Sequence, residues 1–137
     1  MTDQHPMAWR ALLFATLAFS ANFSVWTLYA AVVIPFADRL GFSLTQLGIL
    51  LASPMLTGAL SRIPAGLLVS KFNAKNLFSL QMLFCIPPLV LLPLATDYNN
   101  LLLVGLWIGL SGSSFTFGIN YINDFFPRKN QGTIMGI

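Results

Sequence analysis

The stretch LTQLGILLASPMLTGALSRIPAGLLVS, residues 44–70, decides the fold. Its one charge is Arg62. As a helix it would be about 40 Å long, more than the ~30 Å hydrocarbon core of a bilayer. A cation inside such a span costs about 2.5–3.5 kcal/mol on insertion scales, and charges kept there commonly mark an ion or substrate pathway. Arg62 lies roughly 13 Å along the helix from Lys71, which places it near the midplane on the inner side. Gly58 and Gly66 stand one turn before and after it, with Ala59 and Ala65 beside them, so a neighbouring helix can approach this face closely. Pro54 and Pro64 bracket the site, and each removes a helix hydrogen bond. Guanidinium is a planar fork of donors that matches a planar oxyanion. The plainer alternative is an arginine that snorkels or packs between helices.

Outward from this stretch, the pattern predicts helices over about 11–36, 44–70, 76–96 and 101–126, and the start of a fifth from about 131. None of the four long runs holds a carboxylate within its hydrophobic stretch. Short turns join them: Asp38 to Gly41, Lys71 to Lys75, and Asp97 to Asn100. Pro127 stops the fourth helix. Ser43 followed by Gln46 predicts a capping box at the start of the second. The fold class is an all-α membrane protein. The chain ends one turn into its fifth helix, which reads as a fragment of something longer.

Composition agrees. Of 137 residues 56% are hydrophobic and 8% charged, whereas soluble domains are about 25% charged. Seven basic and four acidic residues give +3, and there is no glutamate. The basic residues are too scattered for a nucleic-acid groove, so no nucleic acid is expected as a partner. They alternate by loop instead. Arg10, Lys71, Lys75, Arg128 and Lys129 fall on one side and Arg39 on the other, which predicts a cytoplasmic N-terminus. The first apolar run is too long for a signal peptide. His5 reads as a tail residue. Cys85 is alone in an apolar run, so no disulfide framework or metal cluster is expected. With no nucleotide loop or catalytic triad either, the sequence predicts neither an enzyme nor a cofactor.

In the first helix Asn22 needs a hydrogen-bond partner at its depth; Tyr29 is a candidate for an interfacial belt, whereas Trp26 lies too deep for an outer one. The fourth helix is rich in small residues: Gly105, Gly109, Ser111 to Ser114, and Gly118. Gly105 and Gly109 form a small-xxx-small pair. Phe115 stands among them with room beside its ring, as a substrate wall or as simple core packing. Asn120 and Asn123 read as interhelical hydrogen-bonding or capping groups.

Four blocks together resemble the nitrate/nitrite porter family of the major facilitator superfamily. They are Asn22-Phe23-Ser24-Val25-Trp26, Gly58-Ala59-Leu60-Ser61-Arg62-Ile63-Pro64, Ser111-Gly112-Ser113-Ser114-Phe115, and Phe125-Phe126-Pro127 with Gln131-Gly132 and Gly136. The resemblance covers nearly the whole chain but about a third of a family member. It implies part of an N-terminal six-helix bundle in a bacterial inner membrane. It also implies that Arg62 binds nitrate or nitrite, that Phe23 and Phe115 flank the anion, and that the missing C-terminal helices of the same transporter supply a second arginine. The loop motif of the superfamily is only partly matched: Gly66, Lys71 and Lys75 fit, whereas Ser70, Asn73 and Ala74 depart from it. Three alternatives stay open at this point: a carrier for another small anion or organic solute, a dimeric four-helix exporter, and a non-transporting membrane subunit whose Arg62 meets a partner's carboxylate.

Overall fold

Every long apolar run forms a helix. The computed structural model describes residues 6–126 and 128–136, without the side chains of residues 128–130 and 135. The expectations for His5, for Pro127 as a helix stop, and for the Arg128 and Lys129 side chains lie outside the described residues. We label the helices α1 (Pro6–Leu40), α2 (Leu44–Val69), α3 (Ala74–Leu94), α4 (Tyr98–Asn123) and α5 (Arg128–Met135). The first four are long and apolar enough to cross a membrane.

The helix ends follow local chemistry. Gly41 has φ +68°, a left-handed conformation that ends α1 where a side chain would be strained. At the start of α2, Ser43 Oγ accepts the Gln46 N–H at 3.2 Å and Gln46 Oε1 accepts the Ser43 N–H at 2.9 Å, completing the capping box. Asn73 caps α3 by accepting the Lys75 N–H at 2.9 Å. Three helices run past their apolar stretches into polar sequence. Asp38 and Arg39 form the last turn of α1, Ala74 and Lys75 open α3, and Asn99 and Asn100 lie in the first turn of α4, so residues expected in turns are helical.

Two helices are interrupted. α3 breaks at Cys85, just before Pro87 and Pro88, which lack the N–H a helix needs, and it closes in a 3₁₀ turn over Leu92–Leu94. α4 is α-helical to Gly109, 3₁₀ over Leu110–Ser113, and α-helical again from Ser114. In α2, Pro54 deprives the Leu50 carbonyl of its usual donor, and Ser53 Oγ donates to that carbonyl at 2.8 Å. Without water, a side-chain hydroxyl is one of the few groups that can do this.

α4 is the centre of the bundle: half of its most apolar window is buried, against 17–28% for the other three spans. At one end Tyr29, Val33, Leu50, Leu92, Leu101 and Ile108 form the core. Towards the other end Ala15 and Ala65 pack with Phe78 and Phe117, and beyond them Ala8 packs with Phe126 and Ile134. Tyr29 does not face outward from the bundle. It is fully buried, and its hydroxyl donates to the Leu101 carbonyl at 2.9 Å, tying α1 to the first turn of α4. Asn22 is buried too. Its Nδ2 donates to the Ala18 carbonyl at 3.1 Å, and its Oδ1 accepts from Gln81 Nε2 at 3.4 Å, linking α1 to α3.

The tightest contact is between α2 and α4. A Cβ on Gly112 would stand 2.8 Å from Gly58 Cα, and one on Gly109 would collide with Thr57 and with Pro54 Cα. One on Gly105 would overlap the Tyr29 hydroxyl and Ser53 Oγ. The glycines of α4 therefore let two backbones touch, as expected for small residues at a membrane helix crossing.

Candidate functional site

Arg62 extends from α2 one turn beyond this crossing. Its side chain is exposed at the edge of the four-helix unit, among the exposed apolar residues Leu60 and Ile63. Its guanidinium carbon lies 5.8 Å from the centroid of the Phe115 ring on α4, within cation–π range. The helix-2 cation and the helix-4 aromatic singled out in the sequence are therefore neighbours. Two features bring them together. Gly58 and Gly112 allow the close crossing, and Phe115 is the second residue after the 3₁₀ segment of α4. Ser113 Oγ donates to the Leu110 carbonyl at 2.7 Å, so this buried serine satisfies its own hydroxyl and that carbonyl locally.

Phe115 is 47% exposed and Phe23 57%, so both retain free surface. Phe23 is not the ring nearest to Phe115. Between them stands Phe19, with ring centroids 6.4 Å from Phe23 and 5.8 Å from Phe115. Trp26 continues the row at 6.1 Å from Phe23. Phe19, Phe23 and Trp26 recur at helical spacing, so α1 presents an aromatic stripe that ends against Phe115. The sequence reading did not include Phe19. Its signal was its place one turn before Phe23.

The small face around Arg62 is only partly used. Gly58 meets α4, but a Cβ on Gly66 would meet nothing within 4 Å. The Gly66 side of α2 is open among the described residues. Asn120 Nδ2 donates to the Thr116 carbonyl at 2.8 Å, a local bond. Among the described residues no group of three or more His, Cys, Asp or Glu could hold a metal ion.

Chemically, the site offers one fixed cation and a set of aromatic rings in an apolar setting. Ring faces carry partial negative charge and ring edges partial positive charge. The guanidinium occupies the face of Phe115, which leaves ring edges for an anion. A model of the Major Facilitator Superfamily matches residues 12–137. The chain belongs to the major facilitator superfamily. It is thus part of a multi-pass integral membrane protein, and the dimeric four-helix exporter drops out.

Within the superfamily, the chain resembles nitrate and nitrite transporters, as its sequence blocks indicated. It is 32% identical over 137 residues to a probable nitrate/nitrite antiporter, NarK1, of Thermus thermophilus, covering all of this chain and 31% of that protein. It is 32% identical over 122 residues to a probable nitrate transporter, NarT, of Staphylococcus carnosus, covering 89% of this chain and 31% of that protein. It is also 32% identical over 122 residues to the nitrate/nitrite transporter NarU of Escherichia coli, covering 84% of this chain and 26% of that protein. The chain therefore spans less than a third of the length of these superfamily members.

Proposed function

We propose that this chain belongs to a secondary carrier for nitrate or nitrite, with the anion bound against Arg62 near the bilayer midplane and flanked by Phe23 and Phe115. The carrying observation is the 5.8 Å approach of the Arg62 guanidinium to the Phe115 ring, which joins a cation from one helix to an aromatic from another. The names of the similar transporters supply the anion.

The physical case is direct. A desolvated anion needs a counter-charge, and arginine supplies one with planar, bidentate geometry. The aromatic stripe excludes water and strengthens that attraction. One cation in this chain leaves room for a second from helices beyond it, so the complete site lies between two bundles that alternate access. The proposed setting is a bacterial inner membrane. The end holding the start of α1, the end of α2 and the start of α3 faces the cytoplasm, because Arg10, Lys71 and Lys75 gather there.

The test uses the reading frame that contains this chain, expressed at full length and reconstituted in liposomes. Nitrate counterflow is measured for the natural sequence and for Arg62→Ala. Flux in the first and none in an equally abundant second supports the reading. Unchanged flux in Arg62→Ala removes the site. No nitrate or nitrite flux in the natural protein removes the substrate, and favours a subunit whose Arg62 meets a carboxylate.

A further inference from the structure

We infer that Phe19 is a third wall of the anion slot and fixes its thickness, an inference that rests on the nitrate reading above. Three observations lead to it. Phe19 is the ring common to both proposed walls, at 6.4 Å from Phe23 and 5.8 Å from Phe115. Its plane lies within 30° of Phe23 and is inclined 56° to Phe115. Phe19 and Phe23 thus form one nearly continuous surface on α1, and Phe115 closes against the Phe19 end of it.

The third observation lies behind the rings. Phe19 and Phe115 both line an apolar cavity of about 560 Å³ between α1 and α4, with Leu12, Thr16, Ile119 and Ile122. Arg62 is not among the residues that bound it. Phe19 and Phe115 thus border a space far larger than any small oxyanion, and Phe115 alone of its lining is also the ring that Arg62 approaches. Truncating Phe19 opens the slot towards that space. The slot then loses its thickness limit while Arg62 keeps its charge.

This separates shape from charge. Nitrate is planar and perchlorate tetrahedral, and both carry one negative charge. Arg62 attracts either. A narrow aromatic slot admits the flat ion and obstructs the thick one. Differences in shape fit within an apolar pocket are worth about 10-fold to 200-fold in discrimination.

The experiment uses the full-length carrier in liposomes. Inhibition of labelled-nitrate counterflow by unlabelled nitrate and by perchlorate gives a preference ratio. The ratio is measured for the natural protein, Phe19→Leu, Phe19→Ala and a control, Phe14→Ala, whose ring is exposed on α1 and does not line the cavity. The expected result is a preference for nitrate that falls about 10-fold in Phe19→Ala, falls less in Phe19→Leu, and is unchanged in Phe14→Ala. A purely structural Phe19 lowers abundance and flux but leaves the ratio alone. A ratio within about twofold of the natural value in both Phe19 variants overturns the proposal. If Phe19→Ala fails to insert, Phe19→Leu decides. Should the natural protein carry no nitrate, the substrate reading fails and this inference fails with it. A natural protein that carries nitrate with an unchanged ratio in the variants removes Phe19 alone.

Discussion

Gly58 and Gly112 meet backbone to backbone: a Cβ on Gly112 would stand 2.8 Å from Gly58 Cα. The contact fixes how far apart α2 and α4 can be. It lies one turn before Arg62 and one turn before Phe115, so it also sets the distance between the cation and the ring.

Enlarging Gly112 should therefore disturb both stability and the site. Gly112→Ala forces backbones apart or strains them, at about 1–3 kcal/mol. Gly66→Ala should cost little within the bundle, since its added carbon meets nothing within 4 Å. The melting temperature of each variant in detergent checks this. Equal melting temperatures for Gly112→Ala and the natural protein would contradict the crossing.

Arg62 should show a graded series. Arg62→Lys keeps the charge but loses the planar fork, so nitrate affinity falls. Arg62→Ala falls further, by about 3–5 kcal/mol if the anion then lacks its buried partner. Phe115→Ala loses a wall and a cation–π contact, and should weaken binding less than Arg62→Ala. Arg62→Ala should still reach the membrane, since removing a cation from a membrane span relieves an insertion penalty. Nitrate affinity and membrane abundance of each variant are the readouts, and an inverted order refutes the assignment.

The charge pattern gives an orientation that labelling can check. Thr45 and Asn99 lie near the turns at the Arg39 end, and Phe72 in the turn near Lys71 and Lys75; all three are exposed. Cysteines at 45 and 99 should react with impermeant maleimide from outside, and one at 72 only after the membrane is opened. The natural Cys85 is buried and gives little background. The opposite labelling pattern would reverse the topology.

Tyr29→Phe removes the hydrogen bond to the Leu101 carbonyl while keeping the ring. Hydrogen bonds between membrane helices average about 0.6 kcal/mol, with a maximum near 1.7. A loss in that range, read from reversible unfolding in mixed micelles, is expected. A loss well above it would mean the hydroxyl does more than join two helices.

The pair Asn22 and Gln81 should be non-additive. Gln81 Oε1 is buried without a donor among the described residues, and the bond to Asn22 is long at 3.4 Å. Asn22→Leu alone leaves Gln81 with Cys85 Sγ as its acceptor, and should destabilise. Replacing both with Leu removes the orphaned groups together and should recover most of that loss. A double-mutant cycle measures the coupling. Strict additivity would show that the pair does not interact.

How much could be read beforehand varies with distance along the chain. The four spans were legible because lipid demands long apolar runs. The capping box at Ser43 and Gln46 was legible because both partners lie within one turn. The glycines of α4 were recognised as a contact surface, although not which residues they would touch. Arg62 and Phe115 drew notice as an isolated charge and an aromatic among small residues, each visible locally. Phe19 went unnoticed because its importance comes from how α1 crosses α4, and Gln81 because its partner is 59 residues away. Helix ends at Leu40 and Tyr98 were misjudged for a different reason. Hydropathy reports where a helix leaves lipid, and α1 and α4 stay helical beyond that boundary.

The 3₁₀ segment at Leu110–Ser113 works as a phase shifter in α4. A 3₁₀ helix advances about 120° per residue against 100° for an α-helix, so four residues accumulate roughly 80°. The half of α4 keyed to Tyr29 and Leu50 and the half bearing Phe115 and Phe117 are thus clocked differently about one axis. Rewound as an uninterrupted α-helix, the same sequence would turn Phe115 through roughly that angle relative to the first half, away from its bearing towards Arg62 and Phe19. The azimuth of the ring is stored in the winding of these four residues and not in the ring itself.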